Sequence, residues 1–393
     1  MRILVTTTGS AGHLTPLIPF LDAIRAAGGE VLVASRVSAL HRIRAAGYDA
    51  WPLAEAPDAE RSAVFASSRG LPPAQANARA LEVFAGLDAA AALPGLLDAI
   101  RDWRPDLILS EASEFAGRLV GAHHELPCVI VAITQYAVEH ELRDATDAAL
   151  TRLRDDHGLR ARDDRAETRF TLLPPRLEHP AHPGPSGTHR FREHDAPTNG
   201  SVAAWFPPDE HPLVYLTFGT AAPQMGFFPG LYRAAIDALA PLPINLLATT
   251  GHDRDPADLG PLPANVRVER WLPQADVVRH VRAMVCHGGT GTVRGALAQG
   301  VPVAVRPMFA DQPHNAERVA ELGAGLVIEP GLAGLAEAVH ALLADDRYTA
   351  RAAEIAADIR ALPTVDTAVD VLKKLIANDG LQPGPAGIHG LSR

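Results

Sequence analysis

The stretch His287-Gly288-Gly289-Thr290-Gly291-Thr292 decides the fold that we predict for this chain of 393 residues. It follows Ala283-Met284-Val285-Cys286, an apolar run typical of a buried strand, and it precedes a helical pattern up to Leu297. Its glycines let phosphate oxygens approach backbone N–H groups, and the N-terminus of the new helix faces the bound anion. The imidazole and the two threonine hydroxyls can donate further hydrogen bonds. We therefore predict a diphosphate site, and a nucleotide-binding domain in the second half of the chain.

Similar alternation of strands and helices extends outward from this stretch through both halves of the chain. Short apolar runs predict strands at 3–5, 30–34, 105–110, 127–132, 213–218, 244–249, 266–268, 283–286 and 302–305, and the predicted helices cover 16–27, 39–46 and about 229–240. Apolar strands separated by helices are typical of parallel sheets covered on both faces. We predict an α/β protein with two Rossmann-like, doubly wound parallel-sheet domains.

Changes in composition divide the chain into segments. We predict an N-terminal domain over 1–195, a linker over 196–212, a second domain over 213–360, a C-terminal helix over 361–378 that returns to the first domain, and a disordered tail over 379–393. Within the first domain, we expect mobile helices over a cleft at 57–95, a helical excursion at 136–168, and irregular chain from 173 onward.

Overall composition excludes several classes of protein. The net charge of −10 argues against a nucleic-acid surface. Cys128 and Cys286 lie in apolar runs without C-x-x-C spacing, so we expect buried core cysteines rather than zinc ligands or a disulfide. No apolar stretch reaches about 18 residues, and the chain begins directly with a strand, so we expect a cytoplasmic protein without stable membrane association.

A second polar segment, Gly9-Ser10-Ala11-Gly12-His13-Leu14-Thr15-Pro16, follows the first predicted strand. Thr15 is expected to cap the next helix, with Pro16 as its first residue. His13 would then lie on the loop beyond the carboxyl end of the strand, where open α/β sheets bind ligands. A neutral imidazole in this position could accept a proton from a hydroxyl group. The alternative is that His13 only forms a hydrogen bond within its own loop.

A carboxylate beside His13 would favour the charged imidazole that forms during turnover. Glu111 directly follows the strand predicted over 105–110 and is the first candidate for this partner. Glu114, three positions further on, is the second candidate. The sequence leaves both open.

Further candidates for binding a nucleotide lie in the second half of the chain. Thr220, at the end of a predicted strand, could place a hydroxyl beside the same anion, and Trp271 could stack on a nucleobase, although a core aromatic is the simpler interpretation of Trp271. Asp311 and Gln312 could together bind sugar hydroxyls, although Asp311 could also cap the following helix. The segment Asp253-Arg254-Asp255 has no strand leading into it, so we predict a turn rather than a metal site.

Taken together, these motifs resemble the GT-B glycosyltransferases of family one, in particular the bacterial enzymes that glycosylate polyketides, macrolides, enediynes and other natural products. The resemblance runs from residue 1 to about 376 and rests on Gly12-His13 with Pro16, Thr217-Phe218-Gly219-Thr220, Trp271-Leu272-Pro273-Gln274, residues 287–292, Gly300-Val301-Pro302, and Asp311-Gln312 with Asn315-Ala316. It implies two domains facing a central cleft, with the acceptor on the N-terminal domain and a nucleoside-diphosphate sugar on the C-terminal domain.

Site residues follow from the resemblance position by position. His13 matches the general base, and Glu111 falls near the acidic residue that orients it, where the family usually has Asp. The residues that match donor contacts are Thr220, Trp271, Leu272, Gln274, His287, Gly289, Thr290, Gly291, Thr292, Asp311 and Gln312. Candidates for an aromatic or apolar acceptor pocket are Phe65, Phe84, Gln135 and Tyr136, for each of which core packing is the alternative.

The expected reaction is therefore a metal-independent, inverting transfer of a sugar to a hydroxyl of a small natural product, without a bound cofactor. Relatives that use uridine donors often carry Glu eight positions after the motif histidine, where this chain has Gly295. We therefore favour a dTDP-deoxysugar over a UDP-sugar. A nucleotide-sugar epimerase and a non-catalytic nucleotide-sugar-binding protein are the alternatives. A homodimer is compatible with the sequence, which does not decide the oligomeric state, the acceptor, the sugar, or the choice among O-, N- and C-glycosylation.

Overall fold

Two parallel β-sheets form the framework of the molecule. The computed structural model describes residues 1–68, 70–161, 167–194 and 211–379. Within these ranges the strands are β1 Arg2–Thr6, β2 Glu30–Arg36, β3 Asp49–Leu53, β4 Leu107–Glu111, β5 Cys128–Val131, β6 Thr168–Thr171, β7 Thr188–Arg190, β8 Leu213–Thr217, β9 Asn245–Thr249, β10 Val266–Glu269, β11 Ala283–Cys286, β12 Val303–Val305 and β13 Gly325–Val327.

The strands divide between the sheets according to their position in the chain. The first sheet has the order β3-β2-β1-β4-β5-β6-β7, and the second has the order β10-β9-β8-β11-β12-β13. All the pairings between these strands are parallel. The predicted α/β class with two doubly wound parallel sheets is confirmed.

Helices cover both faces of each sheet. The α-helices of the described residues are α1 Ala11–Leu14, α2 Ile18–Ala26, α3 Leu40–Ala45, α4 Asp58–Ser67, α5 Pro73–Leu81, α6 Ala89–Trp103, α7 Ala116–His123, α8 Tyr136–Glu141, α9 Arg143–Asp156, α10 Gly230–Leu239, α11 Gln274–Val278, α12 Thr290–Ala298, α13 Gln312–Glu321, α14 Leu335–Ala344, α15 Asp346–Ala361 and α16 Ala368–Asp379. Parallel strands buried on both faces explain why the strand sequences are almost entirely apolar.

The C-terminal helix packs on the first sheet rather than on the second. Val369 and Leu372 of α16 join the same buried cluster as Ile3, Phe20 and Phe170. The chain therefore passes from the first sheet to the second and back, so two connections link the two halves.

One helix carries an apolar sequence long enough to cross a membrane. A π-helical stretch, Glu82–Asp88, joins α5 to α6, and by length and composition the helix Ala74–Trp103 meets the requirement for a span. This overturns the expectation that no apolar stretch has that length. Leu93 and Leu96 of this helix are fully buried in the cluster that also contains Leu4 and Leu32 of the first sheet. Its apolar composition is therefore that of a helix packed against the core.

Polar contacts join the two halves across the cleft. The Gln135 side-chain amide donates to Asn315 Oδ1 at 2.9 Å, and His314 Nε2 lies 2.9 Å from a carboxylate oxygen of Glu141. Away from the centre, Arg294 donates to the Glu193 carboxylate at 2.7 Å. The carboxyl ends of the two sheets therefore face each other in one closed arrangement.

Four local predictions need correction or fall outside the described residues. The helix predicted from residue 16 begins at Ile18 without a side-chain cap from Thr15, because a separate helical turn, α1, forms first through hydrogen bonds to the Ser10 carbonyl. The segment predicted as irregular contains β7, a strand of three residues at the edge of the first sheet. Residues 196–210 of the predicted linker and 380–393 of the predicted tail lie outside the described residues.

Candidate active site

His13 and Glu111 form the polar centre of the N-terminal half. The sheet register places the end of β1 beside the end of β4, so the segment after β1 meets Glu111 at the end of β4. The Nδ1 atom of His13 lies 3.0 Å from Glu111 Oε2, in a bent contact rather than a linear hydrogen bond. The carboxylate is fully buried, whereas 21% of the imidazole surface is exposed to the cleft. The sequence predicted His13 on the loop after the first strand, whereas the structure places it on α1. Its side chain is still partly exposed to the cleft.

Hydrogen bonds fix the Glu111 carboxylate in its ionised form. The Ser113 amide donates to Oε1 at 2.6 Å, and the amide and hydroxyl of Thr8 donate to Oε2 at 3.4 Å. Burial opposes ionisation, but the His13 charge and these hydrogen bonds outweigh it, so the pKa of Glu111 is lowered. Burial likewise opposes charging of His13, but Glu111 in contact and Asp311 across the cleft outweigh it, so the pKa of His13 is raised.

Glu114 has a different role in the structure. Its carboxylate accepts hydrogen bonds from the amides of Ala116 and Gly117 at the start of α7, at 3.0 and 2.9 Å. Burial raises the pKa of Glu114 despite these bonds. Of the two carboxylates that the sequence left open, Glu111 is the one in contact with His13.

The glycine-rich stretch forms the predicted turn between β11 and α12. Gly289 precedes the first residue of α12, Thr290, so the free amides at the start of this helix face the cleft. Gly288 adopts a φ of +92°, which an L side chain rarely adopts. The second half therefore presents a helix N-terminus at the carboxyl end of its sheet, in the geometry that binds phosphate.

His287 lies in a tight cradle between two glycines. A Cβ atom at Gly219 would lie 2.6 Å from the ring, and one at Gly289 would lie 2.5 Å from Nε2. Burial lowers the pKa of His287 to about 4, although Asp311 opposes that shift. His287 is therefore a neutral hydrogen-bonding group throughout the neutral pH range. Thr220 is exposed and follows Gly219 directly, beside this ring.

Asp311 and Asn315 hold the turn between β11 and α12 in place. Asp311 Oδ2 accepts from the amide of Thr290 at 3.2 Å and from its hydroxyl at 2.6 Å. The Asn315 side-chain amide lies within hydrogen-bond distance of the Gly288 carbonyl, the Thr290 hydroxyl and Asp311 Oδ2, at 2.8 to 2.9 Å. The carboxylate predicted to contact a sugar therefore also orients the turn.

The remaining donor candidates surround this turn. Gln312 is buried, and its side-chain oxygen accepts from the amides of Met308 and Phe309, so it shapes the loop before α13. Gln274 donates to the Thr292 carbonyl at 2.8 Å. Trp271 is 48% exposed and stacks on His252 with ring centroids 4.8 Å apart, so it is not a core aromatic. Leu272 packs against the core of the second half.

Two family models cover most of the chain. The N-terminal domain of erythromycin biosynthesis protein CIII-like proteins matches residues 22–173, and the C-terminal domain matches residues 234–377. The elloramycin glycosyltransferase ElmGT of Streptomyces olivaceus is 33% identical over 92% of this chain and 94% of its own length. The chain belongs to this family of glycosyltransferases.

Other members of this GT-B family are similar to the chain over nearly its whole length. The TDP-daunosamine transferase DnrS of Streptomyces peucetius is 27% identical over 98% of this chain and 100% of its own. The crystal structure of the glycosyltransferase SnogD from Streptomyces nogalater superposes with a TM-score of 0.78 at 28% identity, covering 96% of this chain and 99% of that one. This chain is accordingly a GT-B glycosyltransferase of natural-product biosynthesis.

Two of the four predicted acceptor residues lie beside the base candidate of this glycosyltransferase. The Phe84 ring centroid lies 6.0 Å from that of His13, and Phe65 packs edge-on against Phe84 at 6.3 Å. Gln135 instead forms the contact with Asn315 described above. Tyr136 is buried under the guanidinium of Arg169, and its hydroxyl contacts Arg143. Of the four predicted acceptor residues, Phe84 packs near the His13 ring and Phe65 packs on Phe84.

The carboxylates of Asp253 and Asp255 accept hydrogen bonds from neighbouring groups of the protein. Asp253 accepts from the Gln224 amide at 3.1 Å, while Asp255 accepts from the Ala257 amide and from Arg270. Asp255 thereby caps a short 3-10 helix, Pro256–Leu259. These contacts are those of a turn.

Two features of the site were not predicted from the sequence. The cross-domain hydrogen bond between Gln135 and Asn315 joins residues 180 positions apart, and no local pattern encodes such a pairing. Arg36, the last residue of β2, lines a cavity beside Glu111. A single charged residue at the end of an apolar strand was the only available sign, and it is too common to predict a site.

Proposed function

We propose that this glycosyltransferase carries out metal-independent, inverting transfer of a sugar from a nucleoside diphosphate to a hydroxyl group of a small natural product. The acceptor class that we infer is an aromatic polyketide or a macrolide. The observation that carries the proposal is the contact of His13 with the buried Glu111, in a cleft whose opposite wall is the turn at Thr290. Asp311 beside that turn is close enough to raise the pKa of His13.

The acceptor side of the reaction uses His13 as a general base. With Nδ1 facing Glu111, the proton-accepting lone pair is on Nε2. The acceptor oxygen attacks the anomeric carbon, the bond from that carbon to the diphosphate oxygen breaks, and the hydroxyl proton moves to Nε2. Ionised Glu111 stabilises the imidazolium that results. Attack and departure on opposite faces of the sugar invert the anomeric configuration.

The donor side of the reaction stabilises the departing diphosphate. Negative charge grows on the bridging oxygen, and the amides of Gly291 and Thr292 at the start of α12 are the groups that meet it, since the amide and hydroxyl of Thr290 already donate to Asp311. Neutral His287 can add a hydrogen bond without adding a charge. Preorganised donors of this type stabilise the leaving group in the way that a metal ion does in other transferases.

We further propose a dTDP-linked deoxysugar as the donor. At the position where uridine-dependent relatives often have Glu, a Cβ on Gly295 would lie 2.7 Å from the Gln274 amide. A longer side chain would therefore displace Gln274, and Gly295 itself supplies no carboxylate to accept from a pair of ribose hydroxyls. The relative DnrS is a TDP-daunosamine transferase, which supports the same choice.

The test incubates the purified protein with dTDP- and UDP-sugars, with and without a panel of phenolic and macrolide acceptors. We expect release of nucleoside diphosphate only when an acceptor is present, faster release from dTDP-sugars, and a product with inverted anomeric configuration by NMR. Sugar isomerisation without an acceptor would instead indicate an epimerase. Tight donor binding without turnover on any acceptor would contradict the proposal and indicate a binding protein.

A further inference from the structure

A cavity beside the catalytic pair contains a charged group that the proposed reaction does not use. The cavity has about 390 Å³ of empty space, open to solvent on one side, and it lies between the carboxyl ends of β1–β4 and the helix Ala74–Trp103. The lining residues that bear on its chemistry are Thr8, Arg36, Glu55, Phe84, Asp88 and Ser113.

The cavity adjoins the base candidate directly. Thr8 and Ser113 line it and also donate hydrogen bonds to Glu111. Phe84 lines it and packs near the His13 ring. A molecule held in this cavity therefore lies beside the imidazole that would accept its hydroxyl proton.

Arg36 supplies a positive charge to the lining of this cavity. Its Nε atom is buried and has no hydrogen-bond acceptor among the described residues. Burial and the neighbouring charge of Arg61 lower the pKa of Arg36, although Asp88 and Glu55 oppose that shift. A buried N–H group without an acceptor is costly unless a ligand supplies one.

The two carboxylates nearest to Arg36 are engaged elsewhere. Asp88 lies 3.1 Å from Arg61 Nε, in an ion pair whose side chains are 19% and 15% exposed. Glu55 accepts from the amide of Ser38 at 2.7 Å and from its hydroxyl at 2.9 Å. The missing acceptor for Arg36 is therefore left for the ligand of the cavity.

We propose that the acceptor of this glycosyltransferase carries a carboxylate, and that Arg36 binds it while His13 accepts the proton of a hydroxyl elsewhere on the same molecule. This inference rests on the proposed function and specifies its acceptor. The fork of N–H groups on a guanidinium matches a carboxylate in geometry and charge. Phe84, Ala89 and Ala92 give the same cavity an apolar wall, so the rest of the acceptor is an aromatic or aliphatic skeleton.

The test measures binding of 6-hydroxy-2-naphthoate and its methyl ester by titration calorimetry, because the pair shares a skeleton and a hydroxyl and differs in charge. We expect the acid to bind wild-type protein about 10- to 100-fold more tightly than the ester. Arg36→Met should remove that preference without changing ester affinity, Arg36→Lys should keep part of it, and Arg44→Met, on the exposed side of α3, should keep all of it. A thermal melt confirms that each variant is folded.

Equal affinity of wild-type protein for acid and ester, absence of binding by both, or equal weakening of both by Arg36→Met would overturn the inference. The proposed function is tested separately by acceptor-dependent release of nucleoside diphosphate with uncharged acceptors such as the ester. Transfer to uncharged acceptors without any preference for the acid would therefore remove the role of Arg36 and leave the transferase mechanism standing.

Discussion

His13 and His287 face the same cleft from opposite halves of the molecule, and their surroundings give them opposite acid–base properties. Both imidazoles resist charging because they are desolvated. His13 touches an ionised carboxylate, so its pKa is raised, whereas His287 sits between glycines and its pKa is lowered to about 4. The presence of a buried carboxylate partner, rather than burial itself, separates a proton acceptor from a neutral hydrogen-bonding group.

The largest expected effect comes from removing the proton acceptor. His13→Ala should lower turnover by about 10²- to 10⁴-fold, the usual contribution of a general base, while donor affinity stays unchanged. Steady-state kinetics with a hydroxyl acceptor measures the first quantity and nucleotide titration the second. His41→Ala, an exposed histidine on α3, is the matched control and should leave both unchanged. Near-normal turnover of His13→Ala would end the comparison, because neither histidine would then act as a base.

Removing the carboxylate should make the surroundings of His13 resemble those of His287. Because His13 is the proposed general base, the acidic limb of the pH–rate profile should report its deprotonation, and the raised pKa of His13 should place that limb at higher pH than for an unperturbed histidine. In Glu111→Gln only the smaller effect of Asp311 is left to oppose burial, so the limb should move to lower pH, and the maximal rate should fall about 10- to 100-fold because the imidazolium loses its partner. A profile that stays in place would show that Glu111 does not control the pKa of His13.

Replacements of His287 should affect use of the donor and, unlike changes that act on His13, should leave the pH dependence of the rate unchanged. His287→Ala should lower kcat/KM for the donor about 10-fold, since one hydrogen bond to the leaving group is lost. His287→Gln keeps a neutral donor and should recover part of that loss, and neither variant should move the acidic limb, because the group is uncharged at neutral pH. If His287→Gln shifted the limb instead, the division of roles between the two histidines would be wrong.

The smallest effect concerns the packing around the two rings. Gly219→Ala would place a Cβ 2.6 Å from His287 at a φ of +74°, so we expect a loss of about 1 kcal/mol or more in the free energy of unfolding. Gly12→Ala, next to His13, meets no atom within 4 Å and should change stability by less than about 0.5 kcal/mol. Thermal or urea denaturation measures both, and equal losses would contradict the difference in packing.

The same contrast explains how much the sequence could predict. The second half uses contiguous residues, so the strand Ala283–Cys286 and the start of α12 at Thr290 follow directly from the apolar run and the glycines after it. In the first half, the pairing of His13 with Glu111 could be anticipated because strands β1 and β4 end at the same edge of the sheet. Both inferences use local patterns plus one rule of parallel-sheet topology.

Other features depend on tertiary packing and have no local pattern. The edge strand β7 has only three residues and lies among prolines and glycines, so its pairing with β6 is decided by the neighbouring strand. The α1 turn forms where the sequence predicted a loop, because backbone hydrogen bonds to Ser10 close it without a side-chain cap. The Nε atom of Arg36 has no acceptor among the described residues, and this depends on the side chains that the folded chain places around it.

Asn315 makes domain closure and order in the phosphate turn thermodynamically dependent on each other. Its amide nitrogen holds Gly288, Thr290 and Asp311, while its oxygen accepts from Gln135 of the opposite domain. Opening the cleft removes that acceptor contact, at a cost of about 1 kcal/mol, and leaves only the contacts of the amide nitrogen to fix the side chain against the turn. By thermodynamic linkage, a ligand that orders the turn raises the ratio of closed to open molecules by the same factor by which closure raises the affinity for that ligand.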